Sequence, residues 1–416
     1  MSGQLLRLRE RVAAADRALD PRFARAVAQQ WVDEHLPGRS LSRTTTHTAL
    51  YGEDDAVSVR ISVELDTDTP DIGGLTLLVR VRAADLSVTA FPDDPTLPTL
   101  PAMLDPGLAV KILTAHPGLG HVDAASSCRV TVVHHPRTGA CVLRYDLVPL
   151  RAGTRPRQVY AKVYPGREEA VATARAVRAL GAIAMPGEPG IRVRLPRLLG
   201  LAPERHTIFL ESLSPPPEAP RAGAYRPVTV HEAAQALRAL HRHAPRGALP
   251  TGSPAAELRR VDAELAVVAG PWPDVADHVA QALGRARRTL QEEDGGALVL
   301  SHGDFTPSQL VRLPRSIGLV DLDTVCLSEA ASDVGRYLAY HDLAAARRHD
   351  ANAVAARTEF LAAYARADAA FAARVDAYRR LSLGLHALRA ARRFKDDRVI
   401  RALTMLQDDA TGGSRP

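Results

Sequence analysis

The stretch Ser301-His302-Gly303-Asp304-Phe305-Thr306-Pro307-Ser308-Gln309-Leu310-Val311, followed by Gly318-Leu319-Val320-Asp321-Leu322-Asp323, constrains this chain more than any other. It reads as a loop, a short apolar strand, a turn and a second apolar strand that ends in carboxylates. Asp304 lies in a loop that Gln309 closes, and Asp321 and Asp323 follow after a hairpin-length gap. One carboxylate so placed suits the acceptance of a hydroxyl proton. An amide oxygen and further carboxylates suit a hard divalent cation.

Composition makes a second residue conspicuous. Lysine occurs only at Lys111, Lys162 and Lys395, so nearly all positive charge is arginine, and asparagine occurs only at Asn352. Gln309 is therefore the only amide in its loop. Lys162 sits inside the apolar run Val159-Tyr160-Ala161-Lys162-Val163-Tyr164, directly before an alanine-rich helix from Glu168 to Ala184. A lysine there either faces solvent from an edge strand or is held inside a site.

The stretch and its upstream context resemble the aminoglycoside phosphotransferase and choline kinase-like family, whose pattern is H-G-D-x-x-x-x-N, a strand, then I/V-D-x-D/E. The pattern is met at His302, Gly303, Asp304 and Asp321 and departs at Gln309, where the family has Asn. Gln offers the same amide oxygen one methylene further out. The resemblance implies an α+β, bilobal protein kinase-like fold with a small β-rich N-lobe, a helical C-lobe and an extra N-terminal α/β section. It also implies ATP and Mg²⁺ as cofactors. Asp304 becomes the catalytic base, and Gln309, Asp321 and Asp323 the metal ligands. Lys162 becomes the contact to the nucleotide phosphates, with Glu169 as its acidic partner on the following helix. Leu210 to Leu213 become the hinge that meets adenine through backbone groups, with Glu211 and Leu213 as cofactor-binding residues. Glu168 and Glu169 equally suit a helix N-terminus, where the dipole favours carboxylates. His241, in a Leu-His helix ending, and Asp333, which matches the aspartate of the family's G-D-P-x-x-D-L segment, read as structural.

The chain of 416 residues is long enough for two or three domains and a sizeable core. The expected division is 1–120, an N-terminal extension; 121–213, the N-lobe; and 214–416, the C-lobe with the catalytic loop and substrate site. Residues 1–36 pattern as two amphipathic helices broken at Asp20-Pro21, where the aspartate caps the second. Short strands are expected at 44–50, 57–63, 75–81 and 86–91, with the aspartate-rich turn Asp66 to Gly74 between two of them. Pro92 to Gly107 reads as a linker or extended strap. Runs at Arg129–His134, Ala140–Val148, Val159–Tyr164, Val193–Leu201 and Thr207–Leu213 predict the N-lobe strands. The turn His135 to Ala140 falls where a loop would cover the nucleotide phosphates, and Pro215-Pro216-Pro217 marks the exit from the lobe. Helices are expected at 228–243, 255–268 and 274–293, with a helical tail from Asp333 to Leu406.

The remaining signals bound the function classes. The formal charge of +6 comes without a long basic run, so no nucleic-acid partner is expected. No apolar run approaches the roughly 20 residues of a membrane span, and the opening, Met1 to Arg11, is too charged for a secretory signal, so no membrane partner and a cytoplasmic location are expected. Cys128, Cys141 and Cys326 show neither paired nor zinc spacing. The leading expectation is an ATP- and Mg²⁺-dependent kinase for a hydroxyl of a small molecule such as an antibiotic, another secondary metabolite, a sugar or an amino alcohol. The alternatives are a kinase for Ser or Thr of a peptide and a catalytically silent nucleotide-binding protein.

Overall fold

The computed structural model of the chain describes residues 13–47, 49–66, 74–83, 85–115, 125–136, 139–149, 157–181, 184–186, 192–213, 227–292, 296–364 and 368–411. The part of the first expected helix up to Val12, most of the aspartate turn after Asp66, the tip of the His135–Ala140 turn and Pro215–Pro217 lie outside these residues. The chain forms two compact units. One gathers Met1–Pro98, Arg259–Ala282 and Leu383–Pro416; the other gathers Thr99–Leu258 and Leu283–Ser382.

In the first unit, helices Ala13–Leu19 and Pro21–His35 are separated where Asp20 Oδ1 accepts from Arg22 N at 2.8 Å, so the aspartate caps the second helix as expected. Their apolar face, including Val27 and Val32, packs on an antiparallel sheet of Ser40–Thr46, Val57–Asp66, Gly74–Arg82 and Asp85–Ala90 in that order. Strict alternation forms the central strand: Val57, Val59, Ile61, Val63 and Leu65 point inward. The unit also holds helix Pro273–Ala282, with Trp272 just before it. Trp272 meets Tyr51 edge-on at 5.5 Å and Phe394 at 5.4 Å, while Glu264 accepts from Arg389 at 3.1 Å and Arg392 at 2.7 Å.

The second unit carries the kinase-like motifs. Its antiparallel sheet runs in the order Leu198–Ala202, Thr207–Glu211, Arg157–Val163, Cys141–Pro149, Ala125–His134. Cys141, Leu143, Tyr145 and Leu147 alternate into its core, together with Val159, Ala161 and Val163. Cys128 and Cys141 lie on paired strands as free thiols. Helix Arg167–Leu180 packs beside this sheet, and helices Val230–His241, Ala330–Arg348 and Ala353–Tyr364 form the helical part.

Several elements differ from the sequence-based expectation, three of them instructively. The proline-rich stretch contains helix Leu100–Met103 and then helix Pro106–Ala115, because proline is tolerated in a first helical turn. It is fastened rather than loose: Thr99 Oγ1 donates to Arg205 O at 2.9 Å, and Tyr145 OH donates to Met103 O at 2.7 Å. The helix expected over 274–293 is interrupted at Leu283, leaving Pro273–Ala282 and Gly284–Glu292. The run Val193–Leu201 is two strands, Arg192–Arg194 and Leu198–Ala202, in different sheets.

Gly335 shows how tightly the helical part is packed. A Cβ there would meet Val375 O at 2.6 Å, Arg379 N at 2.7 Å and Tyr378 Cβ at 2.7 Å. Two of these atoms are backbone and cannot rotate away. Gly335→Ala is expected to destabilise this unit by about 1–3 kcal/mol. That corresponds to a melting midpoint lowered by roughly 3–10 °C, read by circular dichroism; an unchanged midpoint would contradict the close approach.

Candidate active site

The loop at Ser301 is built by local rules. Strand Leu298–Ser301 pairs with Cys326–Glu329, placing Ser301 opposite Cys326. The chain then turns at Gly303, whose φ is +76° and where a Cβ would lie 2.2 Å from Thr324 O, so no other residue fits without moving backbone. Hairpin Leu310–Leu313 and Ser316–Leu319 follows, with Leu310 opposite Leu319 and Val320 N donating to Gln309 O at 3.1 Å. That register places Gln309 beside Asp321, and Gln309 Nε2 donates to Asp321 Oδ2 at 3.2 Å.

His302 ties the two halves together. Its buried ring donates from Nε2 to Val320 O at 2.9 Å, which leaves Nδ1 as the acceptor for Asp304 N at 3.4 Å. Thr324 Oγ1 donates to His302 O at 3.0 Å. Asp333 fastens the loop from the other side: its carboxylate accepts from His302 N at 2.7 Å, Gly303 N at 2.9 Å and His241 Nε2 at 3.2 Å. His241 Nδ1 in turn meets Tyr364 OH at 2.7 Å. Burial by itself opposes ionisation of Asp333. The hydrogen bond and charge of His241, with His302 and Arg336, outweigh it and hold the carboxyl below the usual carboxylate range. Both residues read as structural from sequence are in structural positions.

Lys162 is buried, with its side chain 9 % exposed, and does not face solvent. Its ammonium donates to Asp321 Oδ1 and, at 2.7 Å, to Asp323 Oδ1. Burial alone would lower the Lys162 pKa, yet Asp323 and Asp321 outweigh it and raise it. Burial would likewise raise Asp321, but the charge and hydrogen bond of Lys162, with His302 and Gln309, bring it below the ordinary carboxylate value. Asp321 adopts a left-handed backbone, φ +67°, a conformation that aspartate tolerates better than most residues. Asp304 presents its side chain, 42 % exposed, at the mouth of the loop, with Arg336 Nη1 at 4.0 Å.

The remaining expected residues lie elsewhere. Glu169 is not the acid that meets Lys162: its Oε2 accepts from Gly166 N at 2.8 Å, closing the start of helix Arg167–Leu180, because a carboxylate in a first turn satisfies a bare backbone donor locally. Glu211 ends strand Thr207–Glu211 and is shared between Arg194 Nη2 at 3.4 Å and Arg197 Nε at 3.3 Å. Leu213 is buried near Gly318. Two residues escaped the sequence reading. Tyr164 lies two positions after Lys162, just past the end of strand Arg157–Val163, and its hydroxyl donates to Asp323 Oδ1 at 3.1 Å; the spacing of two was the available signal. Arg336 follows Asp333 by one helical turn, and only the spacing pointed to it.

A loop carboxylate beside a lysine–carboxylate cluster, on a β-rich half joined to a helical half, defines the class: a kinase-like phosphotransferase. The sequence model of the family described as "Phosphotransferase enzyme family" matches residues 148–383, more than half of the chain, and the chain belongs to that family. Among solved structures the chain is similar to choline kinase from Cryptosporidium parvum Iowa II, with a TM-score of 0.52 and 11 % identity over 74 % of this chain and 95 % of that one. It is also similar to a choline/ethanolamine kinase family protein from Mesorhizobium loti (TM-score 0.44, 17 % identity, 72 % and 94 % covered) and an aminoglycoside phosphotransferase from Streptomyces rimosus (TM-score 0.40, 19 % identity, 60 % and 92 % covered). No curated protein matches the sequence. Among the described residues no helix is long and apolar enough to cross a membrane.

Proposed function

We propose that the protein transfers the γ-phosphoryl group of ATP, with Mg²⁺, to a hydroxyl group of a small molecule in the cytoplasm. The observation that carries this reading is the gathering of Asp321 and Asp323 around one cation, the Lys162 ammonium, beside Gln309 and next to the Asp304 loop. Two carboxylates that already converge on a positive group, with an amide at hand, fit Mg²⁺, which takes one or two carboxylates and leaves its other positions to phosphate oxygens and water. Asp321, Asp323 and Gln309 would hold the ion. Once bound, it neutralises charge on the phosphates during transfer.

The chain's own groups do the rest. Lys162 exchanges carboxylate for phosphate oxygens as the nucleotide enters, and Tyr164 keeps Asp323 oriented while it does so. Glu211 to Leu213 present backbone groups to the base, and Glu169 keeps the helix after Lys162 in place. Asp304 takes the proton of the acceptor hydroxyl while its oxygen bonds to the γ-phosphorus and the bridging P–O bond to ADP breaks. Membership of the phosphotransferase family and the choline kinase neighbour, whose name states a small-molecule acceptor, support a small molecule over a peptide. Lys162, Asp304 and Asp321 in one place support a working kinase over a silent binder.

The test is transfer of label from γ-labelled ATP into a fractionated bacterial extract. Label in small-molecule fractions supports the reading; label only in peptides, or none with any fraction, overturns it. The metal assignment has its own check: Asp321→Ala is expected to weaken MgATP binding roughly tenfold or more while leaving metal-free ATP binding little changed. Calorimetry with and without EDTA reads the difference, and equal MgATP affinity would remove Asp321 from the ligand set.

A further inference from the structure

Arg336 lies between two carboxylates and engages them differently. From helix Ala330–Arg348, its Nη2 donates to Glu257 Oε2 at 3.0 Å, and Glu257 stands in the first turn of helix Pro254–Ala269. Nη1 is buried, makes no hydrogen bond and faces Asp304 Oδ1 at 4.0 Å, within ion-pair range but beyond a hydrogen bond. The Arg336 side chain is 6 % exposed, whereas that of Asp304 is open at 42 %. Burial opposes the charge on Arg336, yet Glu257, Asp304, Asp333 and Tyr340 together outweigh it and raise its pKa, so the group stays a cation. Cys326 is also near, but burial pushes its thiol up to about 11, which leaves it uncharged at neutral pH. The negative charges that face the guanidinium are Glu257, which bonds to it, Asp333, which is committed to the His302 and Gly303 amides, and Asp304.

We propose that Arg336 and Glu257 are positioning residues for Asp304: Arg336 supplies the charge that keeps the base ionised, and Glu257 holds the guanidinium back so that its N–H groups do not occupy the Asp304 oxygens. This assignment rests on the kinase reading above. A general base must be ionised and must also have a lone pair to offer the proton it takes. An arginine bonded directly to Asp304 would favour ionisation but would compete with the acceptor hydroxyl for the same oxygens. A charge 4.0 Å away avoids that conflict, because Coulomb attraction falls only as the inverse of distance while a hydrogen bond needs contact. Water at the exposed side of Asp304 weakens the attraction, but none of it reaches Nη1 from the buried side. The two partners therefore act on Asp304 in opposite directions. Without Arg336, Asp304 faces Glu257 and Asp333 with no cation between, and a proton on it is held more tightly. Without the charge of Glu257, the field of Arg336 at Asp304 is less offset and a proton is held less tightly, while the fork is freer to close on the base.

The experiment follows transfer from labelled ATP into the small-molecule pool of a bacterial extract between about pH 4 and 9, for the wild type, Arg336→Met, Arg336→Lys and Glu257→Gln. The readout is the pH at which the rate falls to half on the acid side. Arg336→Met is expected to move it up by about one unit, the low end of the range for an opposite charge at this distance, because Asp304 is partly solvated. Arg336→Lys keeps a charge and should recover most of that shift. Glu257→Gln keeps an oxygen for Nη2, so the fold is preserved, and should move the midpoint down by about half a unit. The half-maximal MgATP concentration stays as in the wild type throughout. Carbon-13 NMR of aspartate-labelled protein, with the Asp304 carboxyl signal identified by its loss in Asp304→Asn, should show the same order of midpoints without any acceptor present. A merely structural arginine would lower the rate at every pH and leave the midpoint in place. Midpoints that coincide in all four proteins overturn the assignment, as do shifts of the same sign in Arg336→Met and Glu257→Gln. If Arg336→Met does not fold, the sign of the Glu257→Gln shift decides. Absence of label with the wild type at every pH overturns the kinase reading itself, and the positioning role with it.

Discussion

Asp304→Asn is expected to lower kcat by about 10²–10⁴-fold while MgATP affinity stays within error of the wild type. Asparagine has the shape of aspartate but cannot take the proton of the attacking hydroxyl. The substitution also removes the carboxylate charge that faces Arg336 at 4.0 Å. Asp304 holds its backbone through its own N–H to His302 Nδ1, a contact the side chain does not make. The groups assigned to phosphate and metal, Lys162, Asp321 and Asp323, bond to one another across the site. Chemistry and nucleotide binding should therefore separate. Single-turnover transfer of labelled phosphate, set beside calorimetric MgATP binding, reads both. A variant that transfers at nearly the wild-type rate would refute the base role and leave Asp304 as an orienting group at most. A variant that loses nucleotide binding as well would show that Asp304 belongs to the metal set.

The parts of this site that were legible in the sequence are those built by local backbone rules. Gln309 and Asp321 flank one tight hairpin, so its register brings them together, and Asp304 lies in the loop just before it. The parts that were not legible depend on long-range contacts. Lys162 meets Asp321 and Asp323 across separations of 159 and 161 residues. Sequence proximity favoured Glu169 as its partner, but a bare N–H at Gly166 lay nearer to that carboxylate. Arg336 is silent in sequence for a different reason. Helical spacing says that it stands one turn from Asp333, but which arm of the guanidinium stays unpaired is a property of packing. The fold shows the same division. The strands at 57–66 and 74–82 follow from alternation, and the α+β kinase-like architecture follows from the motifs. The gathering of 1–98 with 259–282 and 383–416 into one unit is seen in Trp272 against Tyr51 and Phe394, in Arg392 bonded to Tyr51 O and in the Arg389–Glu264–Arg392 cluster, whose partners are far apart along the chain.

Asp333→Ala is expected to cost the second unit about 3–5 kcal/mol, the range for removing one partner of a buried charged network. Asp333 is fully buried and sits in the first turn of helix Ala330–Arg348, where the dipole favours a negative charge. It satisfies the backbone N–H groups of His302 and Gly303 together with His241 Nε2. Alanine leaves all three donors without the carboxylate, those of His302 and His241 in buried positions and that of Gly303 part-buried. Asp333→Asn should fare only slightly better, since one amide oxygen replaces two carboxylate oxygens and an NH₂ then faces donors. The melting transition of this unit is expected to fall by roughly 10 °C, and exchange protection at the His302 and Gly303 amides should be lost before the rest of the unit opens. Activity should drop with the loop, because Asp304 follows these two amides directly and its position depends on where they are held. Intact protection at both amides in Asp333→Ala would mean that His302 is anchored well enough by Val320 and Thr324 alone. The loop geometry would then rest on the hairpin and not on the helix.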